Sequence, residues 1–332
     1  VADESLIYHA YPTPFDMTIA ARGREMDQLD REWVLKGHIP LSHAGDMIGL
    51  SHPEFKTWLD VLGVTSEQAE LNASVFELYR IDLVRRLLDM HYTTEEIRDM
   101  PLQVQRGIVD SVQSRLPDPV DWSVLFDAAE RLDKQACFEV LGRALTELGC
   151  LQFATEYSSA LMQEVGKRWW HGQTSVFQEH FITTALRTHL SAIMLEQVPH
   201  QKPVLRTIVT TPHGEFHDIG AMLACIAAHE AGHETVFLGS QLPVAEIMQA
   251  VDCFGAHIVC LASSFLEMKR LWAQVAQLRE VLPSHVVICL GGRQFDQRQF
   301  SSLNATLVYD NLPSFDVDMR AFSRVVKQWL PK

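Results

Sequence analysis

The stretch Val204–Leu223, VLRTIVTTPHGEFHDIGAML, decides how the second half of the chain folds. Val204 to Thr211 is apolar and rich in β-branched residues, which predicts a buried strand. Pro212, His213 and Gly214 break it, and Glu215, Phe216, His217 and Asp218 fall on the turn that follows. Gly220 then opens an apolar helix, Ala221 to Ala228. Strand, short loop and helix make the first βα unit of a doubly wound sheet, and such sheets bind ligands at the carboxyl edge of their strands. Four more runs repeat the strand signal, at Thr235–Leu238, Ile258–Ala262, Val286–Leu290 and Thr306–Tyr309. Helical patterns alternate with them, the last at Val317–Trp329. Residues 201–332 are therefore expected to form a flavodoxin-like sheet of five strands, parallel because each return passes through a helix.

Dinucleotide folds place small glycines at the first turn so that phosphate approaches the helix. This chain has Glu215, His217 and Gly220 there instead, giving E-x-H-x-x-G. A loop imidazole is a candidate metal ligand, and a carboxylate two residues away can fix its tautomer and raise its basicity. The pattern resembles the cobalamin-binding fold. The longer string TTPHGEFHDIGAML is similar to one subfamily, the photoreceptor regulators of the CarH/LitR type. The resemblance implies that His217 replaces the cofactor's own benzimidazole as lower cobalt ligand, with Glu215 as its acidic partner. Gly220 would allow close packing beneath the corrin, and Asp218 belongs to the same cofactor-binding loop. Ser263 or Ser264, in LASSFL, falls where the family holds the buried nucleotide tail with a serine. Gly291 and Gly292 fall where backbone passes close to that tail. Tyr309-Asp310 matches a further family position without an assigned role.

Residues 121–198 carry helical patterns throughout: Ser123–Leu132, Lys134–Leu148, Leu151–His171 and Ser175–Gln197. Gly149 and Gly172 punctuate them, and Ser175 with Gln178 forms a capping box. Short connections predict a four-helix bundle over residues 117–200. Inside it, WWHGQTSVFQEH places nine residues between Trp169 and the pair Glu179-His180. That spacing, together with Val176, resembles the photoreceptor bundle that covers the upper face of cobalamin. The resemblance implies that Trp169 packs over an adenosyl group and Glu179 binds its ribose. A wide apolar ring and a two-oxygen acceptor suit those roles. One position departs from the pattern. Relatives carry a histidine after the motif tryptophan as upper cobalt ligand after illumination, and here Trp170 stands in its place. Tryptophan does not ligate cobalt, so His171 or His180 is the candidate, and Trp170 is expected to pack into the bundle or shield the metal. His171 is turned roughly 100° around the helix from Trp170.

The first third is less distinctive. Residues 1–40 read as a polar arm with a short helix near Met26–Lys36. Ser42 and Ser51 cap two short helices over Leu41–Val64, and Phe76–Met100 holds a long amphipathic helix followed by a capped turn at Thr94. Residues 41–116 thus resemble a degenerate MerR-like winged-helix head. Its second helix offers only Lys56, beside Glu54 and Asp60, and the wing region carries Glu67 and Glu70. Arg80, Arg85 and Arg86 are the nearest basic cluster. Phosphate contacts supply most DNA affinity, so this head is poorly equipped for an operator.

A length of 332 residues fits two or three domains, and 47% hydrophobic residues exclude a disordered chain. Lys and Arg number 28 against 42 Asp and Glu, a net charge of −14 that repels nucleic acid on average. No run approaches the ~20 apolar residues of a membrane span. Val1–Ala20 lacks the basic start and apolar run of a signal peptide, so a cytoplasmic protein is expected. Six dispersed cysteines without a CxxC pair predict reduced core thiols rather than a disulfide frame or zinc site. Hydrolase constellations are absent at recognisable spacing, so the chain is not expected to be an enzyme.

The resemblance implies a sensor. Adenosylcobalamin would lie between bundle and sheet, and light cleavage of its upper bond would change domain arrangement or oligomer state to control transcription. Two alternatives stay open: a sensor acting through a protein partner without DNA, and a corrinoid methyl carrier. A homo-oligomer is compatible with each, and a second tetrapyrrole is not predicted.

Overall fold

The computed structural model describes residues 39–40, 72–109, 120–198, 200, 203, 205–292, 300 and 302–329. The N-terminal arm, the paired helices expected over Leu41–Val64 and most of the wing region lie outside them. A two-residue strand β1 (Ile39–Pro40) pairs antiparallel with β2 (Asn72–Ala73). The main sheet contains β3 (Arg206–Thr210), β4 (Glu234–Phe237), β5 (Ile258–Ser263), β6 (Val287–Gly292) and β7 (Thr306–Tyr309). All its pairings are parallel and the order is β4-β3-β5-β6-β7, the expected flavodoxin-like arrangement. Both faces are covered, so the strands alternate between two apolar cores rather than between core and water. In β5, Ile258, Cys260 and Ala262 enter one core while Val259 and Leu261 enter the other.

The bundle comprises α4 (Ser123–Glu130), α5 (Lys134–Gln152), α6 (Ser159–Trp170) and α7 (Val176–Glu196). A π-helical turn, Phe153–Ser158, joins α5 to α6. Gly149 takes φ 75° and breaks α5 one turn before its end, where the sequence predicts a helix boundary. The expected Ser175–Gln178 capping box starts α7. Bundle and sheet are joined through α8 (Ile219–Glu230), which is apolar all round because it is buried on two sides. Ala221, Ala224, Cys225 and Ala228 face the sheet core. Ile219, Met222, Leu223 and Ile226 face the bundle core. The loop carrying His217 runs straight into the first turn of this shared helix.

On the same side of the sheet as α8 lies α11 (Leu312–Trp329). The opposite face is covered by α9 (Val244–Phe254) and α10 (Met268–Val281). Of the first third, the described helices pack against the sheet domain. α1 (Val75–Asp89) buries Val75, Phe76 and Tyr79 in the core of the sheet, and Asp82 pairs with Arg324 of α11 at 2.9 Å. α2 (Thr94–Asp99) is capped by Thr93, and α3 (Leu102–Val109) follows it. The arginines that suggest a basic patch are engaged locally. Arg85 pairs with Asp82 at 2.9 Å and Arg86 donates to the Val109 carbonyl at 3.4 Å. Cys137, Cys225, Cys260 and Cys289 are buried free thiols as expected, whereas Cys253 is exposed. Among the described residues, no helix is long and apolar enough to cross a membrane.

His233 ties α8 and α11 to the sheet. Its Nε2 lies 3.0 Å from the Met319 carbonyl and its Nδ1 lies 2.8 Å from the Thr207 hydroxyl. A carbonyl only accepts, so Nε2 carries the proton and Nδ1 accepts from Thr207. Burial pushes this imidazole from the ordinary 6.5 down to about 4. The unfolded chain then binds a proton that the folded chain refuses, so stability falls as pH drops from 6.5 towards 4. NMR of the histidine rings at about pH 5.5 is expected to show His233 as the neutral Nε2–H tautomer, and a protonated ring there contradicts the assignment.

Candidate functional site

A cavity of about 1800 Å³ opens at the carboxyl edge of the sheet, between it and the α6–α7 corner of the bundle. Its lower side is the loop after β3. Glu215 is almost fully buried, 1% exposed, and accepts six hydrogen bonds. Its Oε1 receives His217 N–H at 3.0 Å and His217 Nδ1 at 2.5 Å. Its Oε2 receives Ser263 Oγ at 3.2 Å and the backbone N–H groups of Ser264, Phe265 and Leu266 at 2.7–3.0 Å. Burial alone would raise this carboxyl's pKa. The bonds from the His217 ring, Phe265, the His217 backbone and Ser264 outweigh it and hold Glu215 well below the ordinary carboxylate range. Glu215 thus does two jobs: it fixes the His217 tautomer and ties two ligand-side loops together.

With Nδ1–H given to Glu215, the lone pair of His217 is on Nε2, the arrangement of a metal-ligating histidine held in place by a carboxylate. The His217 side chain is 56% exposed, lines the cavity and packs at 4.3 Å against the Phe265 ring. From outside, Gln274 of α10 clamps the loop by accepting His213 N–H and donating to the His213 carbonyl, each at 3.0 Å.

Of the residues singled out in the sequence, Trp169, Val176, Glu179, His180, Asp218 and Gly220 all line this cavity, as do Ser264, Gly291 and Gly292. His171 lines it too. The choice between the serines resolves in part: Ser263 is 2% exposed and points its hydroxyl at Glu215, so it is not a cavity residue. A strand alternates its side chains, and the last residue of β5 faces inward. Of the two places expected for Trp170, the cavity wall is the one it takes. It is 78% exposed at the cavity wall and does not pack into the bundle, and Trp169 is 47% exposed. Asp218 pairs with Arg187 of α7 at 2.9 Å.

The two glycines act differently. A Cβ on Gly291 would meet nothing within 4 Å, so it borders open cavity. Gly292 has φ +140°, and a Cβ there would lie 1.8 Å from the Ser263 carbonyl oxygen, so only glycine lets β5 and β6 converge at this edge. Sequence reasoning passed over Arg187, whose spacing of eight from Glu179 keeps it on the same helix face. It also passed over the π-helical turn, whose Thr155 and Glu156 form part of the wall.

Residues 205–310 match the family model of the B12 binding domain, and residues 123–193 match a second B12 binding domain model. This is a B12-binding-domain protein. The two matched regions coincide with the sheet and the bundle that enclose the cavity. The chain is 24% identical over 221 residues to the HTH-type transcriptional repressor CarH of Myxococcus xanthus, covering 63% of this chain and 72% of that protein. It is 30% identical over 122 residues to methionine synthase of Mycobacterium tuberculosis, which covers 36% of this chain but only 10% of that protein. Among solved structures, the monomethylamine corrinoid protein of Methanosarcina barkeri aligns with a TM-score of 0.48 at 20% identity, over 59% of this chain and 95% of that one. The site fits a corrinoid. His217 offers one oriented nitrogen, which is what a metal already held in a macrocycle requires, and Gly291 borders open cavity. The protein binds a cobalamin-type cofactor at this B12-binding domain.

Proposed function

We propose that the protein is a cobalamin-dependent light sensor that regulates transcription through protein contacts rather than by gripping DNA itself. One observation carries the reading: the Trp169–Glu179 corner of the bundle and the His217 loop of the sheet line a single cavity. Bound adenosylcobalamin would supply a visible-light-absorbing centre with a cleavable upper bond. His217 would hold the metal from below through Nε2, with Glu215 retaining the Nδ1 proton. Trp169 would cover the upper group and limit water, and Glu179 would accept from ribose hydroxyls. Glu179 already has His180 Nε2 at 3.3 Å, so the two act as a unit on that wall. His180 and His171 line the same wall and would be the imidazoles available on that side of the cofactor. The net charge of −14 and the engaged arginines of α1 support a protein partner over DNA.

A second reading, a corrinoid methyl carrier, is favoured by the exposure of Trp169 and Trp170, which leaves the upper side accessible to a partner enzyme. The absorption spectrum of the protein loaded with adenosylcobalamin, recorded in darkness and after green light, separates the two. The sensor is expected to convert to a stable new spectrum together with a change in hydrodynamic size. An unchanged size after complete photolysis, with efficient methyl exchange from methylcobalamin to a thiol acceptor, would favour the carrier.

A further inference from the structure

The bundle and the sheet meet through α7 and α8, and most of that contact is apolar. Ile182, Leu186 and Leu190 of α7 are fully buried in the same core as Ile219, Met222, Leu223 and Ile226 of α8. Such contact is strong but non-directional, so by itself it does not fix how far α7 slides along its neighbour. A directional contact sits at the cavity end of this seam. Arg187 Nε and Nη2 both donate to Asp218 Oδ1, at 3.2 and 2.9 Å. Asp218 follows His217 directly, and both it and Arg187 line the cavity.

Glu179, Thr183 and Arg187 follow each other at intervals of four along α7 and all face the cavity. Eight residues of helix span about 12 Å. The Glu179 side of the upper wall is thus carried at a fixed distance from a point pinned beside His217, and Trp169 of α6 lines the same cavity. We propose that Arg187 is a positioning residue. Through Asp218 it sets the height of the Glu179–Trp169 wall above His217, and so selects cobalamins by their upper group. The inference rests on the cobalamin reading of the cavity and goes beyond it, because neither residue is asked to touch the metal.

Removing the guanidinium leaves His217 and Glu215 in place but frees α7 to shift. The loss should therefore fall on ligands that need the upper wall, and not on the lower bond. The test titrates the full chain in darkness with adenosylcobalamin and, separately, with hydroxocobalamin. The wild type is expected to prefer adenosylcobalamin. Arg187→Ala is expected to lose about five- to tenfold of that preference while hydroxocobalamin affinity changes less than about twofold. The pair is partly exposed, so the cofactor-free variant should melt within about 2 °C of wild type. The swap Arg187→Asp with Asp218→Arg should recover part of the preference that either single change removes.

An Arg187→Ala chain that keeps the full preference overturns the inference. So does one that loses both affinities equally with a lowered melting temperature, which marks a purely structural role. A wild type with equal affinities overturns it while leaving the cavity reading intact. A wild type that binds neither cobalamin removes the cavity reading and this inference with it.

Discussion

Asp318→Ala is expected to lower the unfolding free energy by about 3–5 kcal/mol, because it strands a buried cation. Asp318 is 1% exposed and its carboxylate is the hub of a network between α1, α3, α11 and β7. Its Oδ1 accepts from Tyr79 at 2.6 Å, and its Oδ2 accepts from Tyr309 at 2.8 Å and pairs with Arg106 at 2.5 Å. Burial drives the Tyr309 hydroxyl well above its ordinary pKa, so it stays protonated and donates. Arg106 is 4% exposed, and its guanidinium otherwise meets the Val308 carbonyl at 3.2 Å, Gln103 and the face of Tyr309 at 4.4 Å. Those contacts do not neutralise its charge. Urea unfolding of the cofactor-free chain measures the loss, and a change below about 1 kcal/mol would show that the network is dispensable. Asp318→Asn keeps the shape but not the charge, and should fall between the two. Tyr309 also lines the cavity, so the damage should reach cofactor binding.

The second large effect is expected at His217, the proposed metal ligand. His217→Ala removes the imidazole that Glu215 orients, and cobalamin affinity should fall by more than about 100-fold. Glu215→Gln should cost less, about tenfold. It retains one acceptor oxygen, but its new NH2 group faces backbone N–H donors that already point inward. Equilibrium dialysis against hydroxocobalamin measures both. Wild-type affinity in His217→Ala would place the anchoring elsewhere in the cavity.

Much of this site was legible because it is local in sequence. The E-x-H-x-x-G loop lies within one βα unit, and Trp169 and Glu179 flank a single helix corner. Continuous apolar runs rich in β-branched residues located the five strands, and the capping box with Gly149 located the bundle helices. What was not legible depends on contacts across the chain. Tyr79 and Asp318 are 239 residues apart, so the pattern of α1 shows a buried face without showing which helix covers it. Arg106 reads as an ordinary surface cation until Asp318 and Tyr309 enclose it. Ser263 and Ser264 are equally good tail contacts by spacing, and only the inward turn at the end of β5 separates them. Trp170 could either pack into the bundle or shield the metal by sequence, and only its place at the end of α6, facing the cavity, separates the two. Arg187 is one of several helical arginines, and its partner is named only when α7 packs on α8.

The central claim is that His217, held by Glu215, is the lower ligand of a cobalamin seated between bundle and sheet. Electron paramagnetic resonance of the cobalt(II) form tests it most directly, using protein labelled with 15N-histidine and unlabelled cofactor. The account predicts that the nitrogen splitting on each cobalt line changes from a triplet in unlabelled protein to a doublet in labelled protein, and that the doublet is lost in His217→Ala. A triplet that persists in the labelled protein would mean that the cofactor keeps its own base, and would contradict the account.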